Sequence, residues 1–102
     1  MKTFNKIQLL GHIGNEVKFQ EKENTQFAQF PVAENYKPKN GEEITTWHNV
    51  VAFNGLAKLI SEKCKKGQAI LIEGRLQVNT YTDNEGTKRQ GYSIVANEVT
   101  FL

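Results

Sequence analysis

Apolar residues recur at two spacings along this chain, and the change from one to the other is sharpest between Thr45 and Gly67. Thr45, Val50, Val51 and Phe53 suit a pleated surface and predict a strand. Trp47, Val51 and Phe53 project from one face of it, and Ile44, Val50 and Ala52 from the other. Asn54-Gly55 breaks the strand, with Asn54 expected as the N-cap of a helix. Leu56, Ile60 and Cys64 then recur at i, i+4 and i+8, and Ala57 and Leu59 widen the stripe. Lys65 and Lys66 are expected at the negative end of the helix dipole, and Gly67 at the left-handed stop. A strand of a small domain with apolar groups on both faces has one face for the core. The other face is free for function.

The flanking segments alternate with a period of two. Phe4 to Ile13 sets Ile7, Leu9 and Ile13 against Lys6, Gln8 and His12, while Leu10 adds an apolar group to the polar face. Gly11 and Gly14 mark a bend or a close backbone approach, and Val17 to Gln20 continues as a short strand after Asn15. Glu21 to Thr25 reads as a polar turn. Gln26 to Asn35 is the second long strand, with Ala28, Phe30 and Val32 inward. Pro31 cannot donate to a ladder, so it belongs at a bulge or on an unpaired side. Tyr36 to Gly41 is a hairpin connection, its Asn40-Gly41 expected to supply the positive φ of a tight turn. Beyond the helix, Ile70, Ile72, Leu76 and Val78 are in phase, with Gly74 on the same face at an expected barrel corner. Asp83 to Gly86 is a further turn cluster. The last strand, Gln90 to Leu102, slips phase between Ala96 and Val99, as a β-bulge would make it do. Five strands, a helix between the third and fourth, and glycine bends in the first and fourth predict an all-β closed barrel. The five-stranded Greek-key OB-fold has this ordering.

Composition narrows the function. At 102 residues the chain is expected to be one domain, residues 1–102, with one modest core. A net charge of +2 means that an anionic partner must be met by a local basic patch. No apolar run is long enough to span a bilayer and no signal-peptide pattern follows Met1, so the cytoplasm is the expected location. One cysteine excludes an internal disulfide, and His12 and His48 have no zinc spacing, so no cofactor or metal is expected. Cys64 lies on the helix's apolar stripe and reads as a buried, inert thiol. Ser61 and Ser93 sit in no nucleophile-elbow pattern, and Gly11 to Gly14 lacks the context of a phosphate loop. The chain does not read as an enzyme.

The aromatics stand out instead. Tyr36 and Tyr81 start the two hairpin loops, and Trp47 and Phe53 share a strand face. Lys37, Lys39, Lys65, Lys66, Lys88, Arg75 and Arg89 interleave with them. Grooves for single-stranded nucleic acid need this mixture, because each base offers a flat π-face to stack and each phosphate a charge to neutralise. Placement of Trp47 and Phe53 in the core is the competing reading of the same residues.

Several stretches then carry a family resemblance over essentially the whole chain. They are Asn5-Lys6-Ile7, Leu10-Gly11, Trp47-His48-Asn49-Val50-Val51-Ala52-Phe53, Leu56-Ala57, Lys66-Gly67, Ile72-Glu73-Gly74-Arg75-Leu76 and Tyr81-Thr82-Asp83 with Gly86. The chain resembles the DNA-binding domain of bacterial single-stranded-DNA-binding proteins. Trp-His-x-Val-Val-x-Phe followed by Leu-Ala is the specific part of that signal. The resemblance implies an OB-fold that assembles, usually as a homotetramer, and binds single-stranded DNA without sequence preference in replication, recombination and repair. It implies base stacking by Tyr36, Trp47, Phe53 and Tyr81, and phosphate contacts from Lys6, Lys37, Lys39 and Lys66. It implies a subunit contact at His48, to which the exposed position of Leu10 adds a candidate pairing edge.

There are departures. Tyr36 and Tyr81 stand where the family often has tryptophan, and Gln77-Val78-Asn79-Thr80 is neutral where the family has a basic run. The flexible tail with an acidic tip that recruits replication and repair proteins in that family is not among these residues. An alternative from a different class is therefore a tailless, dimeric OB-fold primosome assembly factor that acts mainly through protein partners.

Overall fold

The structure, a computed structural model, describes residues 2–102. In chain order it has β1 (Ile7–Ile13), β2 (Lys18–Lys22), β3 (Thr25–Tyr36), β4 (Ile44–Phe53), α1 (Asn54–Lys63), β5 (Ala69–Thr82) and β6 (Lys88–Phe101). β1 and β2 are the predicted first strand in two pieces. Both lie antiparallel along β3, with His12 opposite Ala33 and Lys18 opposite Gln29. Counted so, the chain has the expected five strands with one helix between the third and fourth. The sheet closes through β1, β5, β6, β4 and β3 back to β1, which is the OB-fold ring.

One junction in this ring shapes the rest. β4 and β6 are parallel and meet through Val50 with Ile94 and Val51 with Val95. The other neighbours are antiparallel. Because β4 and β6 run the same way, the β3–β4 and β5–β6 hairpins overrun this closure in the same direction. Each has six strand residues ahead of it, Ile44–Asn49 and Lys88–Ser93. At about 3.3 Å per residue that is about 20 Å of two-stranded arm. The barrel therefore carries two arms beside its mouth.

Alternation decides which side chains fill the barrel. Ala28, Phe30 and Val32 of β3, Val50 and Ala52 of β4, Ile70 and Ile72 of β5 and Ile94 and Ala96 of β6 form one buried cluster with Leu9 and Ile13. The helix contributes Ala57 and Ile60 to it and packs on β3 and β4. Truncating a side chain as enclosed as Ile60 or Phe30 typically costs about 2–5 kcal/mol. Pro31 lies where β3 changes partner from β2 to β1, and its carbonyl accepts from Gly14 N–H at 3.0 Å. Its missing donor faces that same gap, so no ladder bond is lost. The phase slip of the last strand is a bulge: Glu73 opposes Glu98 but Gly74 opposes Ala96, leaving Asn97 unpaired. A Cβ on Gly74 would overlap the Val95 carbonyl, so the corner needs glycine.

Three local expectations are corrected. Asn54 is not a side-chain cap. Phe53 holds the N-cap position without a side-chain bond, and Asn54 takes φ +57° to turn the strand into the helix in one step, a conformation asparagine tolerates. The helix ends at Lys63, which leaves Lys65 and Lys66 in the following loop. Gly67 does adopt a positive φ of 86°, but in that loop, where its N–H donates to the Ile13 carbonyl at 2.6 Å. Asn40-Gly41 takes no positive φ, because the connection is long enough for an ordinary turn with Gly41 N–H donating to Pro38. The left-handed pair is Glu23-Asn24, at φ 50° and 65°, in the two-residue hairpin between β2 and β3.

Candidate nucleic-acid interface

Strand parity assigns every candidate aromatic to a face. The core side chains of β4 are at even positions, so Trp47, Asn49, Val51 and Phe53 point outward. On β5 the core takes Ile70 and Ile72, so Arg75, Gln77, Asn79 and Tyr81 point outward as well. Trp47 is 60% exposed, Tyr81 54% and Phe53 43%, which removes the competing core reading. Tyr36 is 64% exposed but sits on the opposite side of its arm, opposite Ile44 and in phase with Phe30 and Val32. The structure thus gathers Trp47, Phe53 and Tyr81 on outer faces and separates Tyr36 from them.

Two of these rings are held in place. The Trp47 ring lies on Gly14: a Cβ there would overlap ring Cζ3 and stand 2.6 Å from Cη2. Gly14 is available as a platform because β1 ends one residue earlier, where its chain crosses from β5 to β3. The Phe53 ring packs against Phe27, its cross-strand partner, with centroids 5.5 Å apart and planes tilted by 52°. A ring supported on one side and open on the other is what a stacking platform requires.

The expected cations divide. Lys37 and Lys39 are exposed in the β3–β4 loop, and Lys66 is exposed in the loop that Gly67 ties to the end of β1. None of the three makes an ion pair among the described residues. Lys6 is different. Its Nζ lies 2.6 Å from Glu73 Oε1, and this pairing raises its pKa while holding Glu73 below the usual carboxylate range. Lys6 is thus already paired within the chain. Arg89 is likewise engaged, its Nε donating to Asp83 Oδ2 at 2.9 Å. That contact, followed by the Thr87 N–H, holds the Asp83 carboxyl low and locks the tip of the β5–β6 arm.

The two candidate subunit-contact residues lie apart. His48 is on the inner side of its arm, away from Trp47 as expected, and its Nε2 is 2.8 Å from Glu34 Oε1. Leu10 is 58% exposed and opposes Leu71, also exposed, across the β1–β5 ladder. Cys64 is half-buried, and burial pushes its thiol up to about 11, away from reactivity.

With this geometry described, comparison with known proteins identifies the lineage. Residues 4–102 match the single-strand binding protein family. The chain belongs to that family. It is 38% identical over 108 residues to single-stranded DNA-binding protein 1 of Xylella fastidiosa, covering 100% of this chain and 79% of that protein. It is 33% identical over 105 residues to the single-stranded DNA-binding protein of Neisseria meningitidis, covering 98% of this chain and 60% of that one. A mitochondrial single-stranded DNA-binding protein of Drosophila melanogaster is 33% identical over 106 residues, 99% of this chain and 73% of its own length. In three dimensions, a Plasmodium falciparum SSB in complex with ssDNA superposes with a TM-score of 0.89 at 26% identity. That match covers 100% of this chain and 97% of the other. The chain thus spans less than two thirds of some relatives and about four fifths of others.

Within this single-strand binding fold, the outer face holds two features beyond the expected site residues. Arg75 is exposed beside Val95 and makes no ion pair among the described residues. Its parity with Gln77, Asn79 and Tyr81 would have placed it there. The second is a row of amides between the aromatics, in which Gln29, Asn49, Asn79 and Gln77 are joined through Ser93. Alternation alone placed these residues outside the core, but only the β4–β6 closure brings them side by side.

Proposed function

We propose that the protein binds single-stranded DNA without sequence preference and protects it during replication, recombination and repair. The observation that carries this reading is the exposure of Trp47 and Phe53 on the outer face of β4 and of Tyr81 on that of β5, two strands joined through β6, with Trp47 and Phe53 each supported from behind by Gly14 or Phe27. Unpaired Lys37, Lys39 and Lys66 supply the charge that steers and holds phosphates. Tyr36 stacks from the inner side of its arm, so a strand reaching it passes over the arm rather than along one face. The function is binding, carried by one OB-fold domain over residues 1–102, and the cytoplasm suits it. Membership of the single-strand binding family and a neighbour solved with ssDNA favour this reading over the assembly-factor alternative. Among the described residues no helix is long and apolar enough to cross a membrane.

Fluorescence of the single tryptophan tests the proposal. Oligo-dT should quench it and duplex DNA should leave it almost unchanged. Trp47→Ala should weaken oligo-dT binding by about 1–3 kcal/mol, the range for base–aromatic stacking. An unaltered affinity would refute the assignment of Trp47.

The working form we propose is a homotetramer. From Ile7 to Gly11, β1 is paired with β5 but not with β3, so its other edge is open to strand addition. The Leu10–Leu71 pair gives the outer face of that ladder an apolar patch. Linked barrels would offer several grooves to one strand and gain affinity by effective concentration. Replication and repair proteins are proposed as further partners of the assembly.

A further inference from the structure

The outer face between Trp47 and Phe53 is not a bare sheet. Gln29 Nε2 donates to Asn49 Oδ1 at 2.9 Å, and Asn49 Nδ2 donates to Ser93 Oγ at 3.2 Å. Asn79 Nδ2 donates to the same Ser93 Oγ at 2.6 Å, and Gln77 Nε2 donates to Asn79 Oδ1 at 3.3 Å. The row crosses β3, β4, β6 and β5 in turn and lines one shallow hollow with Phe53 at its margin. None of its members carries a charge, and the cations on the same face flank its two ends: Lys18 opposite Gln29 across the β2–β3 ladder, and Arg75 two residues from Gln77 on β5.

Counting donors and acceptors leaves capacity unspent. Each amide nitrogen uses one of its two N–H groups in the row. The carbonyl oxygens of Gln29 and Gln77, at the two ends, accept from no described residue. Ser93 Oγ accepts twice and keeps its own proton to donate. The row thus presents both donors and acceptors to whatever lies on it. An uncharged surface of this kind gains little from a phosphate but matches the edge of a base, which also mixes donors and acceptors.

Spacing says what would lie there. Trp47 and Phe53 are six residues apart on β4, about 20 Å at strand rise. Stacked nucleotides advance by about 3.4 Å, so bases stacked on the two rings cannot be stacked on each other. The nucleotides between them cross the amide row. We infer that this row is a base-edge subsite, in which Gln29, Asn49, Asn79 and Gln77 hydrogen-bond the edges of the nucleotides held between Trp47 and Phe53. The inference rests on the single-stranded-DNA reading above. Because an amide can turn over and exchange donor for acceptor, the subsite accepts different bases and adds affinity that salt does not remove.

The test compares two double variants, Gln29→Ala/Asn49→Ala and Gln77→Ala/Asn79→Ala, on two probes. One probe is oligo-dT, and the other is an abasic strand of equal length, which keeps the phosphates and lacks base edges. Each variant should bind oligo-dT about five- to tenfold more weakly, the loss of one or two net hydrogen bonds. Affinity for the abasic strand and the slope of log K against log[salt] should stay as in the wild type. The second variant changes two exposed positions, so it remains informative if the first disturbs folding. Equal losses on both probes would mean that the row merely braces the arms, and a flattened salt slope would mean phosphate contact. Either result, or no loss at all, overturns the subsite. A wild type that binds neither strand overturns the single-stranded-DNA reading itself.

Discussion

Gly14→Ala separates the stacking platform from the fold with a single methyl group. Gly14 does not have a positive φ, so its backbone suits alanine, and removing a glycine from the unfolded chain would by itself stabilise by about 0.4–1 kcal/mol. The obstacle is the Trp47 ring. The new Cβ would overlap Cζ3 and lie 2.6 Å from Cη2, whereas carbon atoms rest about 3.5–4.0 Å apart. The ring must therefore move by at least about 1.5 Å, and the hollow beside it, lined by Asn15, Lys18, Gln29 and Pro31, gives it room to swing. A displaced ring loses part of the about 1–3 kcal/mol that base stacking supplies. The expected result is a Tm equal to or above that of the wild type, a shifted tryptophan emission, and weaker quenching by oligo-dT. Gly74→Ala is the control. Its Cβ would overlap the Val95 carbonyl and lie 2.9 Å from Val95 C, backbone atoms that cannot swing aside, so Tm should fall while binding per folded molecule persists. If Gly14→Ala leaves emission and affinity unchanged, or lowers Tm as Gly74→Ala does, the platform reasoning is wrong.

Three further outcomes are expected. Lys37→Ala or Lys39→Ala should flatten the slope of log K against log[salt] by about 0.7, the value for one phosphate on a single strand, whereas Lys6→Ala should not. Lys6 is held by Glu73 at 2.6 Å, and equal flattening by all three would refute that division of roles. The Asp83 carboxyl, held low first by Arg89 and then by the Thr87 N–H, stabilises the arm tip at neutral pH and loses this effect as pH falls through its depressed pKa. NMR titration should put its midpoint below the ordinary aspartate value, with the Thr87 amide following; a midpoint at or above it removes the proposed lock. His48→Tyr should weaken assembly in sedimentation equilibrium by overpacking beside Glu34, and a wild-type monomer at micromolar concentration would end the tetramer proposal.

Alternation revealed the barrel because burial there depends on one strand at a time. Ala28, Phe30, Val32, Ile70 and Ile72 declare themselves by period two, and each is buried in the structure. The bulge at Asn97 was legible for the same reason, as a phase slip within one segment. Turns were less legible. Asn40-Gly41 carries the strongest short hairpin signal in the chain, yet the loop around it is long enough to close without left-handed residues. Asn54 reads as a cap because Asn caps helices often, but a strand that runs directly into a helix needs the φ reversal more than it needs a cap. The pairing of Lys6 with Glu73 is not legible in the sequence, because the two are sixty-seven residues apart and adjacent only across the β1–β5 ladder.

The site was partly legible for a related reason. That Trp47 and Phe53 share a face follows from one strand, but whether that face is core or surface depends on which side the barrel closes. β4 closes with Val50 and Ala52 inside, and this choice exposes Trp47 and Phe53. The parallel pairing of β4 with β6 then sets Ser93 beside Asn49 and, through Gln77 opposite Ser93, aligns the outward residues of β5 with those of β4. Tyr81 joins Trp47 and Phe53 by this route alone, since nothing local ties residue 81 to residue 47. Tyr36 is excluded by the same logic. Its register opposite Ile44 gives it the parity of the core, and it is exposed because the β3–β4 arm has already run past the barrel when the strand reaches it. A nucleic-acid strand that stacks on both Tyr36 and Trp47 must therefore cross the edge of that arm, next to the loop that carries Lys37 and Lys39.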